Sequence, residues 1–168
     1  MQINAEKSSD NRRPLILAGI FIGLGQGGFF DGIVFHQILQ WHHMFSNLET
    51  SQTVAGLELN TLGDGLFHVF DWLMTLIGII ALWRAGKRAD VPWSTSLFLG
   101  SVLMGAGLFN VVEGILDHHI LNIHHVKPGP HELAWDLGFI AIGVFLVAIG
   151  WRLISIDTED NKQEIAPF

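Results

Sequence analysis

Histidine and acidic residues are concentrated in one short run of the chain, and the pattern occurs a second time earlier in it. The run DHHILNIHH, residues 117–125, holds one aspartate and four histidines in nine positions. A shift of 82 positions aligns EGILDHHILNIHH (113–125) with DGIVFHQILQWHH (31–43), and seven of the thirteen positions are identical. The chain has no cysteine. Imidazoles and carboxylates without thiolates are the ligand set of zinc, copper, iron or manganese, so the pattern predicts a metal site.

The candidate ligands are ionisable residues within apolar segments, where such residues usually face the interior of a helix bundle and mark a functional site. The carboxylates are expected either to bind the ion or to orient the imidazoles. The principal set is His36, His68, His118, Asp31, Asp64 and Glu113. The secondary set, in which adjacent histidines cannot both point inward, is Asp117, His42, His43, His119, His124 and His125. Without a cation these buried groups would repel each other or take up protons, so we expect one or two transition-metal ions, with copper, iron and zinc all open.

Four apolar stretches must position these residues: 14–39, 62–83, 93–121 and 133–154. Each is long enough to cross a hydrocarbon core of about 30 Å, which takes about 20 helical residues. The segment LGFIAIGVFLVAIGW (137–151) is apolar on every face, as a lipid-facing helix is. With 49% hydrophobic and 15% charged residues, the composition also favours a membrane protein. We therefore predict an all-α polytopic membrane protein with four transmembrane helices in a four-helix bundle.

The aligned runs predict an internal repeat of two helical hairpins, two plus two, in one domain over 14–154. The first copy covers about 14–88 and the second about 93–154, with polar tails at 1–13 and 155–168. The second halves of the copies match more loosely, through Asp71 with Gly78 and Asp136 with Gly143. Two spans per copy place a pseudo-twofold axis along the membrane normal, so His36 and His118 are expected to face each other across it.

Lysine and arginine set the expected orientation. Lys7, Arg12 and Arg13 precede the first span, and Arg84, Lys87 and Arg88 lie between the second and third. By the positive-inside rule both termini are cytoplasmic. The histidine-rich ends of the first and third spans then face outward, and polar residues are scarce in the inner halves of the spans.

The hydropathy and charge of the chain indicate which partners it can bind. The expected partner is a lipid bilayer. The net charge is −7 and there is no basic patch, which argues against nucleic acid as a partner. Homo-oligomerisation stays open, as does association with a membrane oxidase or another respiratory partner.

Three strings carry a resemblance to a known family: GGFFDGIVFHQILQWHHM, NTLGDGLFHVFDW and LFNVVEGILDHHILNIHHV. They resemble a bacterial family of small integral membrane proteins catalogued as domain of unknown function 2243. The resemblance runs from about residue 15 to residue 152. It implies a four-helix protein of the bacterial inner membrane and implies no activity.

Three functions remain open from the residues. The first is a metalloprotein with an outward-facing site that is redox-active or serves a respiratory or oxygen-using partner. If it is a metal-dependent oxidoreductase, the metal needs an open coordination position and the site needs a base, such as Glu113 or Asp64. The second is delivery or transport of copper, zinc or iron, and the scarcity of polar groups in the inner halves argues against transport. The third is a haem bound by His36 and His118, or by His68 with one of them, which clustered carboxylates disfavour.

Overall fold

The computed structural model describes the backbone of residues 11–165 and the side chains of residues 11–157. Within this range the chain is all-helical and has no strand. The helices are α1 (Arg13–Asp31), α2 (Val54–Ala85), α3 (Thr95–Ile115) and α4 (Glu132–Ile165), and π-helical segments extend α1 over Gly32–Ile38 and α3 over Leu116–Ile120. All four helices are long and apolar enough to cross a membrane, which confirms the predicted fold class.

The helix bounds differ from the apolar stretches at two places. Helix α2 begins at Val54, before the predicted start at residue 62, and α4 continues to Ile165, so the predicted C-terminal tail from residue 155 begins inside a helix. The N-terminal tail up to residue 10, including Lys7, lies outside the described residues. Local capping explains two of the starts, because the side chains of Thr53 and Ser94 accept hydrogen bonds from backbone amides of the first turns of α2 and α3.

The helices are ordered α2, α1, α3, α4 across the molecule, because the principal contacts are α1 with α2, α1 with α3, and α3 with α4. Helices α1 and α3 are therefore central, and α2 and α4 each pack on one of them. An ion pair of 2.7 Å between Arg12 and Asp157 joins the start of α1 to α4, so both ends of the described chain lie at the same end of the helices. The segments 39–53 and 121–131, which carry most of the histidines, lie at the opposite end.

Glycines bring the two central helices into backbone contact. A methyl group added at Gly23 would overlap the Val102 carbonyl oxygen, and one added at Gly105 would overlap the Ile20 carbonyl oxygen. Small residues permit this approach in membrane bundles, where dispersion contacts replace the hydrophobic effect as the driving force. The separation of α1 and α3, and with it the distance between the histidine-rich segments, is therefore set by backbone contact.

Substitution Gly23→Ala is expected to lower the free energy of unfolding by about 1–3 kcal/mol, because the added methyl group overpacks the α1–α3 contact. The matched control is Gly65→Ala on the outer face of α2, where an added methyl group meets no atom within 4 Å. The control should cause no loss, since alanine favours the helix by up to about 1 kcal/mol. Thermal unfolding of the detergent-solubilised variants, followed by circular dichroism, compares them. Equal midpoints for the two variants would contradict the packing role of Gly23.

Candidate metal centre

Two irregular segments with the same backbone path carry the histidines. In the π-helical segments, Leu39 N–H donates to Val34 O (2.8 Å) and Leu121 N–H donates to Leu116 O (2.7 Å). Each segment then turns at a residue with positive φ, Gln40 at 49° and Asn122 at 51°. These positions are 82 residues apart in each case, as the predicted repeat requires, although the repeat itself stays a prediction. The reversal of the chain brings His42 back beside His36, and His124 back beside His118.

Four imidazoles form the centre of this region: His36, His42, His118 and His124, each at most 2% exposed. The inner pair is His42 and His124, whose rings stack with centroids 4.6 Å apart and planes within 5°. Each ring of the inner pair contacts both His36 and His118. Two histidines from the secondary set therefore lie at the centre, between the two from the principal set.

Carbonyl oxygens fix the inner pair. His42 Nδ1 lies 2.8 Å from the Val126 carbonyl oxygen, and His124 Nδ1 lies 3.1 Å from the Met44 carbonyl oxygen. A carbonyl oxygen can only accept, so both Nδ1 atoms carry a proton and donate. In a neutral imidazole the lone pair then resides on Nε2, the arrangement found in metal-binding histidines. Each bond joins one half of the chain to the other.

Aspartates face the outer pair from the Nδ1 side, and the contact at His36 is a hydrogen bond, whereas the one at His118 is a longer contact without hydrogen-bond geometry. His36 Nδ1 lies 2.7 Å from Asp64 Oδ1, and His118 Nδ1 lies 3.5 Å from Asp136 Oδ1. Carboxylates that hold the Nδ1–H of a histidine set its tautomer and raise its basicity toward a metal. Asp64 therefore orients the imidazole of His36, whose Nε2 points away from Asp64 and toward Asp31.

The same aspartates also hold the second histidine of each adjacent pair. Asp64 lies 2.7 Å from His43 Nδ1 and accepts the Met44 amide. Asp136 lies 2.7 Å from His125 Nδ1 and accepts the Val126 amide. In each pair of adjacent histidines, one ring therefore lies in the centre (His42 or His124), and the other contacts an aspartate (His43 or His125).

The structural counterpart of Asp136 is accordingly Asp64, not Asp71 as the loose alignment of the second halves predicts. Asp64 and Asp71 are seven residues apart on α2, so they lie on the same face two turns apart. A shift of seven residues preserves the apolar pattern of a helix. Only the contacts with the histidine segments distinguish the two aspartates.

Carboxylates also approach the centre from the Nε2 side. Glu113 Oε1 lies 2.9 Å from His124 Nε2 and 3.1 Å from His118 Nε2, and Asp31 Oδ2 lies 3.1 Å from His36 Nε2. The contacts of Asp31 with His36 and of Glu113 with His118 lack hydrogen-bond geometry. Two ligands about 2.1 Å from a tetrahedral ion lie about 3.4 Å apart, close to these separations.

Several buried polar atoms of the centre have no hydrogen-bond partner among the described residues: Nε2 of His36 and His42, both ring nitrogens of His118, Oδ2 of Asp31 and Oε2 of Glu113. Buried polar atoms without partners are rare and costly, and a bound cation is one way in which a protein satisfies them. Two triads have ligand atoms within 4.8 Å of one another: His36, His42 and His124, and Glu113, His118 and His124. The spacing of both triads is compatible with a metal ion.

His42 lies outside the membrane-spanning helices and stays neutral. Burial, and then the neighbouring His124 and His36, lower the pKa of His42 to about 2. A neutral imidazole whose Nδ1–H is donated to a carbonyl presents its Nε2 lone pair at any physiological pH.

Aromatic side chains surround the imidazoles. Phe67 stacks on His36 at 5.6 Å, and Phe139 lies 5.6 Å from His118. Farther out, Trp41 and Trp135 lie 5.2 Å apart. Lys127 Nζ lies 4.5 Å from the Trp41 ring and 5.3 Å from the Trp135 ring. These rings and the cation–π contacts enclose the polar centre in apolar surface.

The other candidates lie apart from this centre. His68 Nε2 is 3.0 Å from the Gln37 amide nitrogen, and His68 Nδ1 is 3.7 Å from Asp71, so the structure does not bring His68 into either triad. Asp117 is half-buried, and His119 is exposed. Sequence reasoning missed Asp136 as an orienting group. Asp136 follows Asp64 by 72 residues, and this spacing identifies the two as counterparts only when their contacts with the histidines are known.

Four apolar helices around a buried cluster of histidines and carboxylates define a polytopic helical membrane protein. The family model DUF2243, described as "Predicted membrane protein", matches residues 18–157, and the chain belongs to this family. No curated protein and no solved structure matches the chain.

Substitution Gln40→Gly is expected to stabilise the protein by about 1–2 kcal/mol, because a left-handed residue with a Cβ costs about that much and glycine does not. Gln40→Ala keeps the Cβ and serves as the control, which should bring no gain. Asn122→Gly should bring a smaller gain, since asparagine tolerates this conformation better than glutamine. Thermal unfolding in detergent ranks the three variants. A gain for Gln40→Ala equal to that for Gln40→Gly would rule out backbone strain as the cause.

Proposed function

We propose that this protein is an integral membrane metalloprotein whose transition-metal centre is built on the Nε2 atoms of four buried histidines: His36, His42, His118 and His124. Glu113 and Asp31 supply the carboxylates. The observation that carries the proposal is the fixed tautomer of the inner pair. Each Nδ1–H is donated to a carbonyl, so the Nε2 lone pairs are directed into the same buried space as the acids.

Hydrogen bonds account for only part of this arrangement. His124 Nδ1 donates to the Met44 carbonyl, and its Nε2 lies within hydrogen-bond distance of Glu113 Oε1, at 2.9 Å, a contact that requires a second proton on His124 or a cation. Nε2 of His36, His42 and His118 has no such partner within the described residues. A transition-metal ion would satisfy these nitrogen atoms and the carboxylates together.

The orientation supports a buried site near the outer face of a bacterial inner membrane. The centre lies at the end of the helices opposite the two ends of the described chain, where Arg12 pairs with Asp157. Arg13, Lys87 and Arg88 also lie toward that distant end, which the positive-inside rule assigns to the cytoplasm.

Near the cytoplasmic ends of the helices, the described residues form an apolar core, and the polar groups between it and the histidines are few: Asp71, Thr75 and Gln26. The apolar core is formed by Leu15, Ala85, Val91 and Leu97. The buried hydroxyl of Ser101 is satisfied by the Leu97 carbonyl. A stationary centre is therefore better supported than a permease, which needs polar groups along its path.

The packing of the rings favours an ion over haem. His36 and His42 have ring centroids 4.3 Å apart, and His118 and His124 have centroids 5.0 Å apart. A porphyrin between two axial histidines would have to separate rings that are already in contact.

Burial favours a resident ion over one held for delivery. The four imidazoles are at most 2% exposed and enclosed by aromatic rings, whereas a delivery site must exchange its ion with a partner. Histidine and carboxylate ligands suit iron, manganese, copper and zinc. A resident metal centre is what the geometry supports best, and we propose that it is redox-active or serves a respiratory or oxygen-using partner.

Elemental analysis of the protein purified in detergent is expected to find at least one transition-metal ion per chain, with no Soret band in the absorption spectrum. His42→Ala and His124→Ala should each lower the metal content at least tenfold, because each removes a ligand from the centre of the cluster. Gel filtration and circular dichroism check that the variants stay folded.

His119→Ala is the matched control, since this exposed histidine lies beside His118 in the same π-helical segment. Metal content should be unchanged in this variant and in His68→Ala. Folded His42→Ala and His124→Ala proteins that keep the full metal content would refute the proposal.

A further inference from the structure

We infer, building on the proposed function, that the centre holds two divalent first-row transition-metal ions, one bound by each half of the chain. The first ion would be bound by Asp31, His36 and His42. The second would be bound by Glu113, His118 and His124. Each half would supply two histidines and one carboxylate, a ligand set that binds non-haem iron and leaves coordination positions open.

The stacking of the inner pair argues against one ion bound by both His42 and His124. A metal bound to an imidazole nitrogen lies close to the plane of that ring. His42 and His124 have planes within 5° of each other and centroids 4.6 Å apart, stacked rather than side by side. The two planes therefore have no common point near both Nε2 atoms. An ion bound well by one ring lies out of the plane of the other.

The requirement that an ion lie in the ring plane of its histidine groups the ligands differently from distance alone. Distance places His124 with His36 and His42 in one triad and with Glu113 and His118 in the other. The Nε2 atom of His124 can bind only one ion. Because the ring planes of His124 and His42 are parallel and offset, these two histidines would bind different ions. His124 therefore belongs with His118 and Glu113, and its Nε2 lies 2.9 Å from Glu113 Oε1.

The two sets have equivalent spacing in the sequence and the same distance between the acid and its first histidine, although only Glu113, His118 and His124 lie as a complete set within 4.8 Å of one another. The acid precedes its first histidine by five positions and its second by eleven in both halves. Asp31 Oδ2 lies 3.1 Å from His36 Nε2, and Glu113 Oε1 lies 3.1 Å from His118 Nε2. Nε2 of His42, which has no hydrogen-bond partner within the described part of the chain, completes the first set.

Charge balance is also consistent with two ions. Four buried carboxylates surround the imidazoles: Asp31, Asp64, Glu113 and Asp136. With one negative charge each and neutral imidazoles, they match two divalent cations. One divalent cation would leave two uncompensated negative charges at the edge of the hydrocarbon core, which is costly.

Cobalt(II) is the probe, because it accepts histidine and carboxylate ligands and is paramagnetic. The metal-free protein, reloaded with excess cobalt(II) and desalted, is expected to retain two ions per chain. At a separation of about 3.5–4 Å, typical of two-metal sites, the two ions should show magnetic coupling in electron paramagnetic resonance.

Variants of each half separate the two sites. The double variants Asp31→Asn/His36→Ala and Glu113→Gln/His118→Ala should each retain one cobalt ion per chain and lose the coupling. His119→Ala should retain both ions and the coupling. Gel filtration and circular dichroism again select folded variants, and the single variants Asp31→Asn and Glu113→Gln replace any double variant that does not fold.

The outcomes distinguish this inference from the proposed function. No retained cobalt in the wild-type protein would overturn both. One cobalt ion per chain, lost in His42→Ala or His124→Ala, would leave the metal centre standing and overturn the two-ion assignment. Loss of both ions from each folded double variant would overturn the assignment of one ion to each half.

Discussion

The centre depends on two hydrogen bonds that cross between the halves of the chain. His42 donates to a carbonyl in the second histidine segment, and His124 donates to a carbonyl in the first. Neither half can form its own bond, so the tautomers and orientations of the inner imidazoles are fixed only when the halves are docked. In a low-dielectric interior such bonds are strong, and a missing partner is correspondingly costly. The inner imidazoles therefore take up their orientation only when the two halves pack together.

The glycines of α1 and α3 make that docking close enough. Backbone contact at Gly23 and Gly105 sets the separation of the helices in their apolar halves, and the same two helices continue into the segments that carry the histidines. The outer helices, α2 and α4, contribute acidic side chains. Helix α2 brings Asp64 and α4 brings Asp136 against the outer imidazoles. Helices α1 and α3 thus lead into the clustered histidines, and helices α2 and α4 provide the acids that face the outer imidazoles.

Hydropathy and residue type were sufficient to predict the four spans, the polar ends of α1 and α3, and the presence of histidines and acids in one region. They were not sufficient to rank the histidines. His42 and His124 lie beyond the regular helices, and only the positive φ of Gln40 and Asn122 returns them to the centre. His68 shares a helix with Asp64 but lies one turn farther along, beside Gln37. Asp71 and Asp64 share a face, so an alignment of apolar helices cannot separate them.

The π-helical segments make the local backbone geometry part of the site. A π turn accommodates more residues than an α turn, and such bulges are frequent at functional sites. If Gly32–Ile38 took up regular α-helical geometry with no residue removed, everything after it would be rotated by about 100°. His42 would then leave the interior although no side chain had been replaced. Loss of the π turns is consequently as damaging to the cluster as replacement of one of its histidines, while the segment tolerates changes of side chain at Ile33 and Ile38, which face outward.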